Sequence, residues 1–416
     1  MPSVVPVAQT ARILAIVQAG GQGSRMDVLT RERAKPALPF AGSYQLVDFA
    51  LSNLAHSGIP DVWVSVQYQA GSLDEHLAGG RPWDLDRTRG GYRRLVPEEG
   101  DADSLGGFST GNADNLMRIA DDIASVAPDV VVVTSADHIF RLDLRAVIDE
   151  HLRCGAEATI VTSEVSLEEA RHKAVVDVAR DGHVRGLAYK PAKATRHTVA
   201  SEIFVYRADV LLPLLDRLRR ELADDGGLGD FGEHLLPELI ARGKTYAYAM
   251  SSYWRDLGRP SVYLAAHRDF LLGRIDVFDD PRWPMLTRFP ELPPAFVASG
   301  GVVADGYLSA GVRVAGTVRR SVLGPSVMVE EGAVVEDSVL MTGVCVRAGA
   351  RVQGVVADDA VEIGAGAQVG GEIPRWPPPE KAVTLLGRDS VVGPNAVVAA
   401  GGRLEPGASA RAGSSA

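Results

Sequence analysis

Hydrophobic positions follow two different rhythms along the chain. Up to about residue 280, short runs rich in valine and isoleucine alternate with stretches of helical periodicity. The runs predict buried strands, and the stretches predict amphipathic helices. The strands are ILAIV, DVWVSV, DVVVVTS, EATIVTS and EIFVY, and the helices are YQLVDFALSNLAHSG, NADNLMRIADDIASV, LRAVIDEHLRCG and FGEHLLPELIARG. The alternation indicates an α/β domain with a doubly wound, mostly parallel, Rossmann-like sheet, whose ligands bind at the carboxyl ends of the strands.

The second rhythm follows a proline-rich segment, DDPRWPMLTRFPELPPAF, which we interpret as a linker. Beyond it, one aliphatic residue recurs every six positions among glycine, proline and acidic residues. The first series is Leu323, Val329, Val335 and Met341, continued one position out of phase by Val346 and Val352, and the second is Leu386, Val392, Val398 and Leu404. Such a repeat is typical of a left-handed parallel β-helix built from hexapeptides. A β-sandwich is the alternative, but two series with the same step favour the β-helix.

The change of rhythm divides the chain into three parts. A chain of 416 residues is too long for one compact core. We predict the α/β domain at residues 1–278, the linker at 279–300 and the β-helix domain at 301–416. We expect the tail of the last domain, ASARAGSSA, to be disordered.

Composition excludes several functional classes. A net charge of -10 argues against a nucleic-acid partner, which would require a basic face. No apolar run approaches the roughly 20 residues of a membrane helix, and MPSVVPVAQTAR lacks the pattern of a secretory signal. The two cysteines, Cys154 and Cys345, fall in different predicted domains, which argues against a disulfide. We therefore expect a cytoplasmic protein without a membrane or nucleic-acid partner.

The first predicted strand runs into a glycine-rich turn, QAGGQGSR, of the kind that binds phosphate through backbone amides. The residues of this turn assigned to the nucleotide are Ala19, Gly20, Gly21 and Gly23. The turn matches neither a Walker A loop nor a complete GxGxxG fingerprint, so a structural turn is an equal alternative on this motif alone. Arg25 and Lys35 favour the phosphate interpretation because they can add charge-assisted contacts to a triphosphate.

Two acidic residues and a lysine add to this chemistry. Asp137 follows an apolar strand, where a carboxylate suits Mg²⁺ bound to substrate phosphates. Asp256 lies in YWRDLGRP, and alone it would more often be a solvated turn residue. Lys190 precedes a proline at a strand end and could bind a phosphate as a point charge. For His138 we favour a packing or hydrogen-bonding role over general-base catalysis.

These motifs resemble those of ADP-glucose pyrophosphorylases, a branch of the sugar nucleotidylyltransferases. The resemblance rests on AGGQGSRM, RAKPALPF with VDFALSN, QYQ, GNAD, ADHIF, YKPA and YWRDLG, in this order and followed by hexapeptide repeats. It implies an enzyme in which the phosphate of a sugar 1-phosphate attacks the α-phosphorus of a nucleoside triphosphate and releases pyrophosphate. Family roles then fall on these positions: Arg25 and Lys35 on the triphosphate, Gly111 on the nucleotide, Asp137 and Asp256 on Mg²⁺, and Lys190 on the sugar phosphate. Family β-helix domains commonly form dimers or tetramers, so we expect a homo-oligomer.

The chain departs from the family where the sugar is held. The positions that match the family's sugar contacts carry Ser109, Ala174, Tyr189 and Ala200, and Glu202 replaces a glycine. A site built to bind particular hydroxyls rejects analogues strongly, by roughly 10⁴-fold or more, so losing all of these contacts suggests a different acceptor ring.

The base pocket also departs from the family. The family's PAQQ segment reads LVPEEGD here, and a carboxylate accepts well from the two adjacent N–H groups of guanine. Glu99, or Glu98, is therefore a candidate guanine reader, with a solvated acidic loop as an equal alternative. Together the departures predict a specialised enzyme that couples GTP to a cyclitol 1-phosphate. It would resemble the valienol-1-phosphate guanylyltransferases, which make GDP-valienol for antibiotic biosynthesis.

Three alternatives remain. The first is a glucose-1-phosphate adenylyltransferase that makes ADP-glucose for glycogen. The second is a non-catalytic regulatory homologue, but such a chain should have lost the arginine, the lysine or a metal aspartate, and none is lost here. The third is a β-helix acyltransferase, which would need a histidine on the coils, and no histidine follows His267.

Overall fold

The computed structural model describes residues 11–21, 23–88, 90–96, 109–222 and 227–412. The strands of the first domain are β1 Ile13–Ala19, β2 Pro39–Phe40, β3 Tyr44–Gln45, β4 Asp61–Val66, β5 Gly91–Leu95, β6 Val130–Ser135, β7 His138–Phe140, β8 Ala158–Glu164, β9 Ala174–Val178, β10 Val184–Tyr189, β11 Thr198–Arg207, β12 Thr245–Ala249 and β13 Trp254–Asp256. The helices are α1 Leu46–His56, α2 Gly71–Leu77, α3 Asn112–Arg118, α4 Ala120–Ser125, α5 Leu144–Arg153, α6 Leu167–Ala170, α7 Ala208–Glu221, α8 Leu235–Ala241 and α9 Pro260–Leu271. Short 3₁₀ turns cover Ser24–Thr30, Lys35–Ala37, Ala78–Trp83, Asp276–Phe278 and Glu380–Ala382.

A nine-stranded sheet forms the centre of the first domain, counted over the described residues. Strand β1 lies between β4 and β6 and runs parallel to both, and β5 extends this parallel half beyond β4. Every side chain of β1 is buried, as expected for a strand covered on both faces. The predicted doubly wound architecture is confirmed, and it brings the ends of β1 and β6 to one edge of the sheet.

The other half of the sheet is mixed. Strand β11 runs antiparallel to both β6 and β8, whereas β12 is parallel to β8. The register of β11 against β8 shifts between Ala200 and Phe204, and Glu202 inside this bulge has a φ of 55°. Bulges often re-aim side chains, and Glu202 in this one lines a cavity of the first domain.

The second domain is a left-handed parallel β-helix with three parallel sheets. Their strands are Phe296–Val297, Arg313–Val314, Met328–Val329, Cys345–Val346, Glu362–Ile363, Val391–Val392 and Ser409–Ala410; Val302–Ala304, Thr317–Arg319, Val334–Glu336, Arg351–Gln353, Gln368–Gly370 and Val397–Ala399; and Tyr307–Leu308, Val322–Leu323, Val339–Leu340, Val355–Ala357, Thr384–Leu386 and Arg403–Leu404. All ten residues of the predicted six-residue series are buried. The sequence rhythm therefore identifies the stacked core of the coils.

Two boundaries differ from the sequence-based expectation. The first β-helix strand, Phe296–Val297, lies inside the segment 279–300 that we interpreted as a linker. The tail expected to be disordered begins with an ordered strand instead, since Ser409–Ala410 pairs with Val391–Val392 and buries Ala410. Stacking on the preceding coil supplies backbone hydrogen bonds that the tail's small, polar composition does not reveal.

The two domains are joined by buried polar contacts. The guanidinium of Arg33 is almost fully buried and pairs with Asp358 and, at 2.6 Å, with Asp359 of the β-helix. Arg268 of α9 donates to Asp337 at 3.0 Å and stacks on Trp376 at 4.4 Å from the ring centre. Arginine–carboxylate pairs have a defined geometry, so these contacts favour one orientation of the β-helix against the first domain.

Candidate active site

The glycine-rich turn leaves the end of β1 and winds into the 3₁₀ turn Ser24–Thr30. Gly23 has a φ of 65°, a conformation that favours glycine. The carbonyl of Gly23 accepts from the amide of Met26 at 2.8 Å and from the hydroxyl of Thr30 at 2.9 Å. These bonds close the turn on itself and present Arg25 as an exposed side chain at the sheet edge.

A cavity of about 380 Å³ opens beside this turn. It gathers eleven of the positions singled out in the sequence: Gly21, Gly23, Arg25, Lys35, Asp137, Ala174, Tyr189, Lys190, Ala200, Glu202 and Asp256. These residues come from segments spread over more than half of the chain, so the fold brings together the nucleotide and acceptor candidates. The volume lies in the range of ligand sites.

A lysine bridges the two predicted metal ligands at the centre of the cavity. The Lys35 ammonium contacts Asp137 and lies 3.2 Å from Asp256 Oδ1. Lys35 is buried at 6% exposure, since the 3₁₀ turn Lys35–Ala37 packs its backbone into the core. Asp137 follows β6 and Asp256 ends β13, which pairs with β7 and places the two carboxylates side by side.

Charge pairing controls the ionisation of this group. Burial opposes the charged form of Lys35, but the carboxylates of Asp137 and Asp256 outweigh it and raise the lysine pKa. Burial likewise opposes both aspartates, yet Lys173 and Lys35 lower the pKa of Asp256, and Lys35 with His138 lowers that of Asp137. Both carboxylates are therefore ionised and available as oxygen ligands.

The buried ring of His138 lies beside the carboxylates of Asp137 and Asp256. Its ring is 1% exposed, packs edge-on against Trp254 at 5.3 Å, and places Nδ1 3.1 Å from the carbonyl of Ser201. Nε2 then faces the carboxylates, 3.3 Å from Asp137 Oδ1 and 3.8 Å from Asp256 Oδ1. The hydrogen-bonding role expected for His138 matches this geometry.

At the other end of the cavity, Lys190 and Tyr189 surround Asp230. The Tyr189 hydroxyl donates to Asp230, and the Lys190 ammonium lies 3.4 Å from the same carboxylate oxygen. Burial first, and then the Asp230 carboxylate, raises the pKa of Tyr189. Lys190 is 48% exposed in its side chain, so its ammonium can reach a ligand phosphate.

Two alanines and one glutamate, Ala174, Ala200 and Glu202, also line the cavity. Ala174 begins β9 directly opposite Tyr189 of β10, and Ala200 lies on β11 before the bulge. Glu202 projects from that bulge with 42% of its side chain exposed, and its Oε2 lies 3.9 Å from His138 Nε2. Desolvation inside the cavity, together with the carboxylates of Asp137 and Asp256, outweighs the opposing effect of His138 and raises the pKa of Glu202, although part of the side chain is open to solvent. The part of the cavity lined by the residues predicted to contact the acceptor therefore has small side chains and a carboxylate.

Other predicted residues lie outside the described cavity lining, namely Ala19, Gly20, Ser109 and Gly111. Gly20 packs against Gln67, whose amide donates to the Ser109 hydroxyl at 2.5 Å and accepts from the Ser109 amide at 3.0 Å. A Cβ on Gly111 would meet the backbone of Gly229 at 2.3 Å. These positions shape the wall behind the turn, and their assignment to ligands stays a prediction. Glu98 and Glu99 lie outside the described residues, and so does their predicted contact with the base.

Sequence reasoning missed Lys173 and Asp230. The Lys173 ammonium donates to Asp256 at 2.8 Å and lies 5.0 Å from the centre of the Trp254 ring. A signal existed, because Lys173 immediately precedes β9, whose first residue Ala174 was a candidate. No sequence signal pointed to Asp230, since it lies in a loop without hydrophobic periodicity.

The chain matches two families and many relatives. Residues 14–272 match the "Nucleotidyl transferase" family, and residues 293–375 match the "GlmU-like, C-terminal hexapeptide" family. The glucose-1-phosphate adenylyltransferase of Clostridium acetobutylicum is 33% identical over 78% of this chain and 84% of its own length. Those of Thermotoga maritima and Corynebacterium jeikeium are 36% and 35% identical, over 78% of this chain and 76% and 84% of theirs.

The matches agree with the architecture in both halves. The first family covers more than half of the 416 residues, including every described residue of the Lys35, Asp137 and Asp256 group. None of the helices in the described ranges is long and apolar enough to cross a membrane. The chain is a nucleotidyltransferase, and it belongs to the nucleotidyl transferase family with a GlmU-like hexapeptide domain at its C-terminal end.

Proposed function

We propose that this enzyme transfers a nucleotidyl group from a nucleoside triphosphate to a sugar-type 1-phosphate in a Mg²⁺-dependent reaction. The observation that carries the proposal is the pairing of Lys35 with Asp137 and Asp256 beside the glycine-rich turn. One cavity thus combines backbone amides, cations and two ionised carboxylates, the groups that a phosphoryl-type transfer requires.

The residues fit a magnesium ion. Asp137 and Asp256 offer hard oxygen ligands, the donors that Mg²⁺ prefers, and both line the cavity where substrate phosphates would complete the coordination. Asp137 and Asp256 would hold the ion, which would neutralise charge on the triphosphate. Lys35, which contacts both carboxylates, would pair with the substrate phosphates when Asp137 and Asp256 hold the ion.

The reaction needs no side-chain base. An oxygen of the acceptor phosphate forms a bond to the α-phosphorus while the bond from that phosphorus to the bridging oxygen breaks, and pyrophosphate leaves with the electron pair. The attacking oxygen is already anionic, so the protein's task is to align and neutralise the groups. Arg25 and Lys35 would contact the triphosphate, while Lys190, together with Lys173, would contact the acceptor phosphate.

ATP and glucose 1-phosphate are the first candidate substrates. The relatives that support this choice are glucose-1-phosphate adenylyltransferases with about a third of their residues identical to this chain. The product would then be ADP-glucose.

A second candidate is GTP with a cyclitol 1-phosphate such as valienol 1-phosphate. It is favoured by the acceptor end of the cavity, where Ala174 and Ala200 present no hydrogen-bonding side-chain group and Glu202 adds a carboxylate. The proposed contact of Glu99 with guanine belongs to this candidate.

A substrate screen separates the candidates. Pyrophosphate release is measured with each of ATP, GTP, CTP and UTP against glucose 1-phosphate and valienol 1-phosphate. Efficient turnover of ATP with glucose 1-phosphate supports the first candidate, and turnover confined to GTP with the cyclitol supports the second. No release with any pair, in the presence of Mg²⁺, contradicts the proposed acceptor class.

The metal role of Asp137 is tested separately. Asp137→Asn keeps the size of the side chain but removes its charge, so we expect turnover to fall by roughly 10³-fold or more. Asp143→Asn, a helix cap away from the cavity, is the matched control. Turnover near that of the unaltered enzyme would refute the assignment.

We also propose that the enzyme is a homo-oligomer, a dimer or tetramer joined through the β-helix. The first coil exposes a cluster of large apolar residues, Phe296, Val297 and Val302. Light scattering gives the mass in solution, and a monomer at micromolar concentration would contradict the proposal.

A further inference from the structure

An arginine at the far end of the β-helix contacts the 3₁₀ turn Ser24–Thr30, which directly follows the glycine-rich turn. Arg403 Nε donates to Asp27 Oδ2 at 2.9 Å, and Asp27 lies two positions after Arg25. The same guanidinium donates through Nη1 to the carbonyls of Val383 at 2.6 Å and Gly401 at 2.8 Å. Because these carbonyls of its own domain hold the guanidinium group in place, the Arg403 side chain is ordered against the β-helix and is not a free surface side chain.

Asp27 is the point at which this turn is bent. Its φ of 58° and ψ of −131° interrupt the 3₁₀ turn Ser24–Thr30, a conformation that non-glycine residues rarely adopt. Strain of this kind persists only where surrounding contacts hold it. The Thr30 hydroxyl holds the turn from inside, through the carbonyl of Gly23 at 2.9 Å. Arg403 holds it from the other domain.

A second ion pair of the Asp27 carboxylate is weaker. Arg31 approaches Asp27 Oδ1 at 3.5 Å and is itself 57% exposed, while its Nε lies 3.4 Å from Glu405 of the β-helix. The Arg403–Asp27 pair is shorter and its arginine is less exposed, at 30%. The last coils therefore contact Asp27 in two ways, directly through Arg403 and indirectly through Glu405 and Arg31. The direct contact through Arg403 is the shorter one.

We propose that Arg403 is a positioning residue for nucleotidyl transfer: it fixes Asp27 and thereby aims Arg25 at the triphosphate. The β-helix is then part of the catalytic apparatus, although it contributes no group to the reacting atoms. The inference rests on the proposed contact of Arg25 with the triphosphate. A misplacement of about 1 Å can cost on the order of 10²-fold in rate, so the loss of one hold on the turn is measurable.

Two variants remove the contact from opposite sides. Arg403→Gln removes the charge and the fork, and Asp27→Gly removes the carboxylate while supplying the residue that tolerates a φ of 58° best. Asp27→Gly thus separates positioning from stability, because it relieves backbone strain. Arg268→Gln is the matched control, since it breaks another ion pair between the domains, with Asp337, which involves neither Asp27 nor Arg403.

Kinetics of pyrophosphate release are measured at saturating acceptor, with thermal unfolding in parallel. We expect Arg403→Gln and Asp27→Gly each to lower kcat/KM for the nucleotide by roughly tenfold or more, and the double variant to lose no more than the worse single one. Arg403→Lys should recover part of the loss, because it restores charge without the fork. Arg268→Gln should keep its kinetics. Normal kinetics in Asp27→Gly would overturn the proposal, whatever Arg403→Gln does.

Arg25→Gln separates this inference from the proposed function. If Arg25→Gln loses activity and the Arg403 and Asp27 variants do not, the positioning inference alone fails. If Arg25→Gln is as active as the unaltered enzyme, the assignment of Arg25 to the triphosphate fails, and the inference falls with it.

Discussion

Lys173 and Asp256 form an ion pair of 2.8 Å at the centre of the cavity. Lys35 lies 3.2 Å from the other carboxylate oxygen of Asp256, so both oxygens of this proposed metal ligand already face an ammonium. In the proposed function, a divalent cation on Asp256 would have to compete with these two lysines. The two ammonium groups would then weaken metal binding before the substrates bind.

Lys173→Gln is expected to tighten metal binding in the absence of substrate. Removing a positive charge beside Asp256 lowers the repulsion felt by a cation, and we expect the affinity for Mn²⁺ to rise by roughly three- to tenfold. Titration of Mn²⁺ followed by electron paramagnetic resonance measures this affinity. Lys193→Gln, an exposed lysine, is the control. Unchanged or weaker binding in Lys173→Gln would show that Lys173 does not compete for Asp256.

Glu202→Gly is expected to change the preference for the acceptor and to leave the KM for the nucleotide unchanged. Glycine suits the φ of 55°, so the backbone bulge should survive and only the carboxylate is lost. If Glu202 accepts from an acceptor hydroxyl, kcat/KM for the best acceptor should fall by roughly tenfold or more, with KM for the nucleotide unchanged. Glu202→Gln keeps the size and tests the charge alone. Equal acceptor kinetics in all three proteins would exclude Glu202 from acceptor recognition.

Gly111→Ala is expected to destabilise the wall behind the glycine-rich turn. The added Cβ would lie 2.3 Å from the backbone of Gly229, and backbone cannot swing aside as a side chain can. We expect the free energy of unfolding to fall by about 1–3 kcal/mol, measured as the shift in thermal unfolding. Gly186→Ala, where no atom lies within 4 Å of the added Cβ, provides the comparison. Equal shifts in the two variants would contradict the packing role.

Acid should destabilise the protein through two buried histidines. Burial lowers the pKa of His267 and of His151 from 6.5 to about 4, with Arg207 contributing to the shift of His151. Both are neutral when folded but bind a proton when unfolded below pH 6.5. The free energy of unfolding should therefore fall as pH drops from about 6.5 to about 4, by up to roughly 3 kcal/mol for each.

Urea unfolding at pH 7.5 and pH 4.5 checks this pH dependence. His267→Gln should reduce the difference in midpoint between the two conditions, because it removes one of the two groups. His197→Gln, which alters an exposed ring, should leave the difference as it is. A His267→Gln protein with the full difference would show that other groups cause the acid sensitivity.

The parts of the fold that follow local periodicity were predictable. The apolar strands, the amphipathic helices and the six-residue repeats all depend on side chains a few positions apart. The convergence of Arg25, Lys35, Asp137 and Asp256 was predictable for a related reason, since their motifs resemble those of one enzyme family in the same order.

Contacts that depend on docking were not predictable from pattern. The antiparallel direction of β11 and the bulge at Glu202 arise from pairing with β6 and β8, which an apolar run does not specify. Lys173 and Asp230 enter the site only when distant loops fold over it. The ordered strand Ser409–Ala410 likewise needs the neighbouring coil, because its small residues have no strand signal of their own.

The Arg403–Asp27 contact joins residues 376 positions apart. During synthesis Arg403 leaves the ribosome 376 residues after Asp27. A nascent chain therefore cannot complete this contact until the coil that carries Arg403 has been made. A chain truncated before that coil would keep every described residue that lines the cavity and still lack the contact that Arg403 makes with the 3₁₀ turn Ser24–Thr30.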